Sequence, residues 1–575
     1  MTPPISIGAL LPEIILLIGG CTVLLLGQAT SDRQRGRMPW VTLLALAAAG
    51  VAVLLSRRPA ASGSGLTYGP LALFVRISAL QLGILLTLVN WRPPRERERG
   101  EFLSMLLFAL AGLLLVGAAD NLLILFLALE LVSIPSYIMV VLGRDHVSAL
   151  EAGAKYFFLG ALATAITAYG FSFLYGVSGT AALPETLAAV TLALRDPTKL
   201  QHGLALIGVV LALGGLLFKI AAVPLHFYVA DVYQGAASPV AGFLGFVPKL
   251  AGIVAIIKIV LLTGMWDAGC AGVFWLLWFI AAASMTVGNL LALRQTNIKR
   301  MLGYSGIAHS GYMLVGLLAG PRAGAAVSTS GIGVFGDGTA AVLYYVVIYG
   351  LANLGAFAVL GLLRTRGHSL DTRAVTPDLE CETLRDVAGL LRREPTLALL
   401  LALAMLTLMG LPPTPGFWGK LSLFSSAFAA SRLPVYADGR SAWLVALVVI
   451  AVLNSALAAA YYLRVIAAVL VYENDRPARA EPREAQHLGA LLCAFLLLIF
   501  AFHPSGLLTA GREATTDLTV RVELLPPDVG HTPPDNEAGV EQTRPTPADA
   551  LWRADSPVPA WRLTAILRPG GGRTR

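Results

Sequence analysis

Charge is what this chain has least of. Only 13% of its 575 residues are Asp, Glu, Lys or Arg, whereas 56% are hydrophobic and the mean hydropathy is +0.73. Soluble domains carry about 25% charged residues. A chain with half that polar coat cannot cover a water-facing surface, which excludes soluble, fibrous and mainly disordered proteins and leaves a membrane protein. Cysteine is scarce too: Cys21, Cys270, Cys381 and Cys493 stand far apart with no CxxC among them. That spacing excludes a compact four-cysteine iron–sulfur or zinc site and speaks against a disulfide framework. No basic segment precedes the first apolar run, so it reads as a retained span and not as a secretory signal. No P-loop or metal-ligand cluster occurs. The run GIGVFG (Gly331, Gly333, Gly336) fits GxGxxG literally, but it stands between two spans with no strand before it and reads as a glycine-rich loop. The net charge of +8 comes from basic residues scattered in short clusters, which fits the loops of a membrane protein and excludes a nucleic-acid face.

What the chain has is long apolar runs. At about 20 apolar residues per crossing, the sequence predicts spans at 11–27, 39–55, 71–89, 102–118, 121–142, 152–175, 204–229, 239–263, 271–293, 301–319, 340–363, 396–430, 443–471 and 488–507, fourteen in all. The twelfth exceeds one bilayer thickness, and PPTP at Pro412–Pro415 predicts a break within it. No soluble domain fits between spans, the longest loop being 364–394. Alternate loops starting with the first hold 21 Lys and Arg against 7 in the other set. This bias places the first set in the cytoplasm and both termini outside. Residues 511–575, rich in Pro, Arg, Asp and Glu, read as a disordered polar tail.

A few charges remain inside the spans. An ionisable group at mid-membrane costs about 2.5–3.5 kcal/mol, so each one needs a reason. Glu130, in ALELVSIPSY, is too deep to reach the surface and must face protein or water. Lys219 lies just before Pro224, which should interrupt the seventh span. Lys249 follows Pro248 in the eighth span, and Lys420 follows the break in the twelfth. These four read as functional. Lys258 and Arg76 lie near span ends and read as snorkelling side chains; Arg464 is deeper and left open. His226, two helical turns beyond Lys219, and His309, inside the tenth span, could pass protons as well as simply be hydrogen-bonded. Interrupted spans at the seventh and twelfth positions, each with a lysine beside the break, are what two inverted five-helix repeats produce. The expected organisation is an all-α polytopic membrane protein with a three-helix segment at 1–101, a first repeat at 102–270, a second at 271–472, a last helix at 473–510 and the tail. A water-linked row of buried Lys and Glu suits proton movement, because a carboxylate beside a lysine favours its charged form and withdrawing it favours release.

The motifs now reached resemble a known family, the antiporter-like membrane subunits of respiratory complex I, and within it the subunit N type of bacterial NADH–quinone oxidoreductase. They are LALELVSIPSY around Glu130, FKIAAVPLHFYVADVYQGAASPV from Phe218 to Val240, KLAG at Lys249, QTNIKRMLGYSGIAHSGYMLVG from Gln295 to Gly316, and GLPPTPGFWGKLSLF from Gly410 to Phe424. The resemblance implies fourteen helices and two inverted repeats. It implies that Glu130 and Lys219 form a coupling pair, Lys249 a central relay and Lys420 the relay toward the outer side. NADH, FMN, iron–sulfur clusters and quinone would belong to partner subunits, in a bacterial inner membrane. Sister subunits L and M typically carry a histidine in the eighth span, where this chain has Lys249. The polar tail departs from the family pattern. A subunit of a multi-subunit cation/proton antiporter of the same ancestry is the other reading.

Overall fold

The computed structural model describes residues 7–523 except 29–35, 56–64, 92–97, 145–146, 267–270, 322–335, 369–374, 434–435, 437, 473–477 and 482. GIGVFG up to residue 335, and everything beyond residue 523, lie outside the described residues.

Inside a bilayer every backbone N–H and C=O must be bonded within its own segment, so the apolar runs become helices. In chain order these are α1 (Leu11–Gly27), α2 (Met38–Leu55), α3 (Pro70–Val89), α4 (Arg99–Ala118), α5 (Leu122–Leu142), α6 (Val147–Ser178), α7 (Leu183–Arg195), α8 (Leu200–Lys219), α9 (Val229–Gly235), α10 (Ser238–Leu244) and α11 (Val247–Leu261). The second half holds α12 (Ala271–Leu293), α13 (Ile298–Ala319), α14 (Gly338–Leu362), α15 (Leu390–Arg393), α16 (Pro395–Met409), α17 (Pro415–Ala430), α18 (Arg440–Leu470), α19 (Glu484–Phe502) and α20 (Pro504–Glu523). Among the described residues eleven helical segments are long and apolar enough to cross a membrane, α10 and α11 counting together; α1 and α16 are apolar but shorter. The chain is a multi-pass, all-α membrane protein. Starts follow local chemistry: Asn121, Asn297 and Asp337 each accept a backbone N–H of the turn they open.

The seventh and twelfth spans are interrupted as expected, between Lys219 and Val229 and between Met409 and Pro415. The eighth, expected to be continuous, is also broken, at Gly245–Phe246. The segment Ser238–Leu261 and α14 are wholly buried and form the centre of the bundle. α13 is almost as buried, and its serines, glycines, His309 and Lys299 are tolerated because it meets protein and not lipid.

Contacts between loops sort into two ends. At one end β1 (Leu363–His368) pairs antiparallel with β2 (Val375–Glu380) and with β3 (Arg479–Ala480), in the order β2-β1-β3, and Asn297 pairs with Thr383. At the other end Leu66 pairs with Ala119, and Asn121 with Ala182. Two features depart from the sequence reading. The 364–394 loop contains a hairpin, and the polar tail begins later than residue 511, because α20 runs to Glu523. α20 packs on α3 and α14, burying Leu508, Ala514 and Thr515, and the Thr515 hydroxyl donates to Asp337 Oδ2 at 3.0 Å. Composition averages over this helix and so misses its small apolar side.

Candidate functional site

Pro224 has no N–H to give and its ring clashes with the carbonyl four residues back, so α8 stops at Lys219. Ala221 then turns the chain in the left-handed region at φ 60°. Lys219 Nζ comes 3.3 Å from Glu130 Oε1 and donates to Ser133 Oγ at 2.6 Å. The same carboxylate oxygen accepts the Thr164 hydroxyl at 2.8 Å. Glu130 and Lys219, 89 residues apart, thus form an ion pair set among hydroxyls, with the lysine side chain 8% exposed and the glutamate 19%.

The break also frees the Ile220 carbonyl, which accepts the Ser310 hydroxyl at 2.5 Å. Ser310 Oγ accepts in turn from Lys249 Nζ at 2.9 Å, and Lys249 also donates to the Gly306 carbonyl at 2.6 Å. Its ammonium sits 4.6 Å above the Tyr349 ring. A cavity of about 20 Å³ touches both Lys219 and Lys249 and is walled by Tyr156, Tyr228 and Tyr233. A water needs roughly 10–15 Å³, so one or two fit between the two lysines.

Farther along, His309 shares hydrogen bonds with the Tyr345 hydroxyl at 2.8 Å and the Tyr462 hydroxyl at 2.9 Å, and Tyr462 also bonds Ser305. Lys420 donates to the Met409 carbonyl, left free where α16 ends, at 2.7 Å, and lies 5.0 Å from the centre of the Tyr312 ring. Gly410 closes α16 at φ 82°, and a Cβ there would fall 2.9 Å from the Lys420 side chain. Lys219 has a carboxylate partner; Lys249 and Lys420 have none within ion-pair distance among the described residues, only carbonyls, a hydroxyl and aromatic faces.

The structure therefore brings Glu130 to Lys219, links Lys219 to Lys249 through a shared cavity, and sets His309 in a tyrosine cage on the helix that holds the Lys249 acceptors. His226 does not join them. Seven residues past Lys219 it would share a helical face with that lysine, but the helix has already ended, and the ring nitrogen meets its own loop at the Pro224 carbonyl, 3.2 Å away. The snorkelling expected of Lys258 and Arg76 is also corrected. Lys258 is buried and donates to the Gly117 and Ala119 carbonyls at the end of α4. Arg76 makes a buried ion pair with Glu13 at 2.6 Å, donates to the Ala9 carbonyl and lies over Tyr68. Arg464, left open above, donates to the Leu293 and Gln295 carbonyls at the end of α12. Reading the sequence missed Glu13, which is two residues into its helix, as well as Thr164, Ser310, Tyr345 and Tyr462. Ser133 was detectable, three residues past Glu130 and so on the same helical face; the others sit on different helices.

At the sheet end, Glu380 ties the hairpin down. It pairs with Arg144 at 2.9 Å and Lys299 at 3.3 Å and accepts the Ser238 hydroxyl at 3.0 Å. Burial opposes its charge, but Lys299, Arg144 and Arg364 outweigh burial and hold the carboxyl at about 2.

Residues 119–439 match the family described as "NADH:quinone oxidoreductase/Mrp antiporter, TM". The chain is 36% identical over 83% of its length to a Trichlorobacter lovleyi protein named NADH-quinone oxidoreductase subunit N, covering 89% of that relative. A Polaromonas naphthalenivorans protein of the same name is 33% identical over 89% of this chain and 97% of its own. A chain of respiratory complex I from Thermus thermophilus with bound aureothin superposes with a TM-score of 0.67 at 30% identity, over 87% of this chain and 98% of that one. A chain of the Mrp complex from Dietzia sp. shares the fold, with a TM-score of 0.70 at 19% identity over 89% of this chain and 99% of its own.

Proposed function

The chain belongs to the NADH:quinone oxidoreductase/Mrp antiporter family, and we propose that within it the chain is an N-type subunit of a bacterial NADH–quinone oxidoreductase, carrying protons across the membrane while partner subunits reduce quinone. The observation that carries this reading is the row Glu130–Lys219–Lys249–Lys420: three buried lysines beside helix breaks, the first paired with a carboxylate and the others held by neutral groups. With Glu130 beside it, Lys219 keeps its proton. When the carboxylate is neutralised or drawn away, the ammonium loses its counter-charge in a low-dielectric site, and its proton moves through the shared cavity to Lys249. From there His309 and its tyrosines lead toward Lys420. NADH, FMN, iron–sulfur clusters and quinone fall to the other membrane and peripheral subunits of the complex.

The reading includes fourteen crossings in two inverted repeats. In its favour, Lys258, on the last span of the first repeat, bonds carbonyls at the end of that repeat's first helix, α4. Arg464, on the last span of the second repeat, does the same for its first helix, α12, at the opposite face. The sheet end carries the more basic loops and is the cytoplasmic side on this reading.

The test uses the assembled complex in vesicles. Lys219→Ala should reduce redox-driven proton uptake roughly tenfold or more, and Lys219→Arg should restore only part, because a guanidinium does not readily release a proton. Glu130→Gln combined with Lys219→Ala should do little more harm than either alone, a departure from additivity of about 1–2 kcal/mol. Wild-type uptake in Lys219→Ala, or strictly additive losses, would overturn the pairing. Uptake that requires Na⁺ would favour the antiporter reading.

A further inference from the structure

α3 and α19 touch at the sheet end and diverge away from it. Near the sheet the Gln486 amide donates to the Val89 carbonyl at 3.0 Å, and a Cβ on Gly489 would fall 3.0 Å from the Val89 side chain and 3.2 Å from that of Leu88. Toward the other end the helices part around a cavity of about 760 Å³, walled by Ile77 and Ile84 of α3, Phe495 and Ile499 of α19, and Val347 and Leu351 of α14. Its side is open, since Ile77 is 39% and Phe495 59% exposed. α20 roofs the end away from the sheet. Its Gly506, Leu507 and Ala510 face the cavity, while Leu508, Ala514 and Thr515 are buried where the helix packs on α3 and α14. The roof sits tightly, for a Cβ on Gly511 would fall 3.0 Å from the Ala340 carbonyl. Along α3 the walls run from Pro70 to Leu85, which is about 22 Å at 1.5 Å per residue. Half of a bilayer about 40–45 Å thick, headgroups included, has the same depth.

This shape selects the occupant. A transmembrane helix of another subunit is about 10–12 Å across and has to pass both ends, but α3 and α19 meet at one end and α20 closes the other. A flexible chain that enters from the side and carries a head at one end meets neither obstacle. The mouth supplies polar groups for such a head, His503 and Glu513; Arg512, next to Glu513 in the sequence, does not line it. The Glu513 carboxylate repels an anionic headgroup. It accepts a charge-assisted hydrogen bond from a primary ammonium, which a quaternary choline cannot donate, and the His503 ring can donate to the adjoining phosphate.

We propose that this wedge binds one phospholipid of the outer leaflet with an ethanolamine headgroup, its acyl chains between α3, α14 and α19 and its ammonium on Glu513. The site does not depend on the proton relay; only the naming of the leaflet follows from the orientation proposed above. The test is photolabelling of the assembled complex in vesicles, using phosphatidylethanolamine with a diazirine in its acyl chain and mapping the labelled peptides by mass spectrometry. Label should fall on the cavity-facing residues of α3 and α19. Unlabelled phosphatidylethanolamine should compete it away roughly tenfold better than phosphatidylglycerol or phosphatidylcholine. Glu513→Gln should abolish that preference, and Ile77→Trp, which fills the wedge, should lower the labelling itself several-fold. Glu513 is exposed, so its variant carries the test should Ile77→Trp not assemble. Gln81 separates the two occupants: its amide also lines the wedge, about 16 Å below Pro70, where a partner helix would bond it and an acyl chain would not. Gln81→Leu should therefore leave the labelling intact. Label no stronger than on the exposed side of α6, equal competition by all three lipids, or loss of label in Gln81→Leu would overturn the site.

Discussion

At the residue scale, the buried cations divide by what accepts their protons. Lys219 and Lys249 share a cavity, and Lys420 spans a break in the middle of a crossing. Lys258 and Arg464 instead meet the last carbonyls of α4 and α12, where four C=O groups have no intrahelical partner and the helix dipole is negative. A charge-assisted bond of this kind contributes about 1.5–3 kcal/mol. Lys258→Met and Arg464→Met should therefore each lower the thermal midpoint of the complex, by a loss of roughly 2 kcal/mol, and leave the protons moved per quinone reduced unchanged. Calorimetry beside vesicle uptake measures both, and a fall in the proton ratio would draw either residue into the path. Hydropathy could not make this division. Distance from a span end is the same for a side chain that snorkels and one that turns inward to cap a neighbouring helix, and what decides is which helix end lies within reach.

At the element scale, the β1–β2 hairpin is held to the bundle by Glu380. Its folded-state value of about 2 lies below the ordinary 4.5, so its ion pairs stabilise the fold fully above about pH 4.5, and the contribution is lost as pH falls toward 2. Removing one partner of a buried pair costs about 3–5 kcal/mol. Glu380→Gln should thus lower the thermal midpoint by an amount that is constant between pH 7 and pH 5.5 and shrinks below pH 4.5, measured against wild type at each pH. A gap that widens on acidification would show that the carboxylate is not held charged. The loop's length and charge were visible in the sequence. That one carboxylate would gather Arg144, Lys299 and Ser238 was not, because those partners lie 236, 81 and 142 residues away.

At the scale of the whole molecule, the proposed orientation rests on the basic bias of 21 to 7 between alternate loops, which puts the sheet end in the cytoplasm. Alkaline phosphatase fused after Glu523 should be active, since that enzyme folds outside the cytoplasm, and the same reporter inserted at 369–374 should be inactive. Activity reversed between the two sites would invert the molecule, and activity at both would mean the number of crossings between them is even.

The sequence by itself determined the class of the molecule. Apolar runs of bilayer length with few charges allow only helices across a membrane, prolines at Pro224 and Pro412–Pro415 must interrupt two of them, and the lone mid-span charges at Glu130, Lys219, Lys249 and Lys420 must turn away from lipid. Those are local consequences of composition and spacing, and they hold whatever the neighbours are. The tertiary structure decided the rest: the contact geometry of the Glu130–Lys219 pair that the family resemblance implied, the third break at Gly245–Phe246, the loss of His226 from the row, and the caging of His309 by Tyr345 and Tyr462. Each depends on which helices lie side by side. In a bundle whose helices are nearly all apolar, periodicity says little about neighbours, because lipid and protein interior demand the same residues.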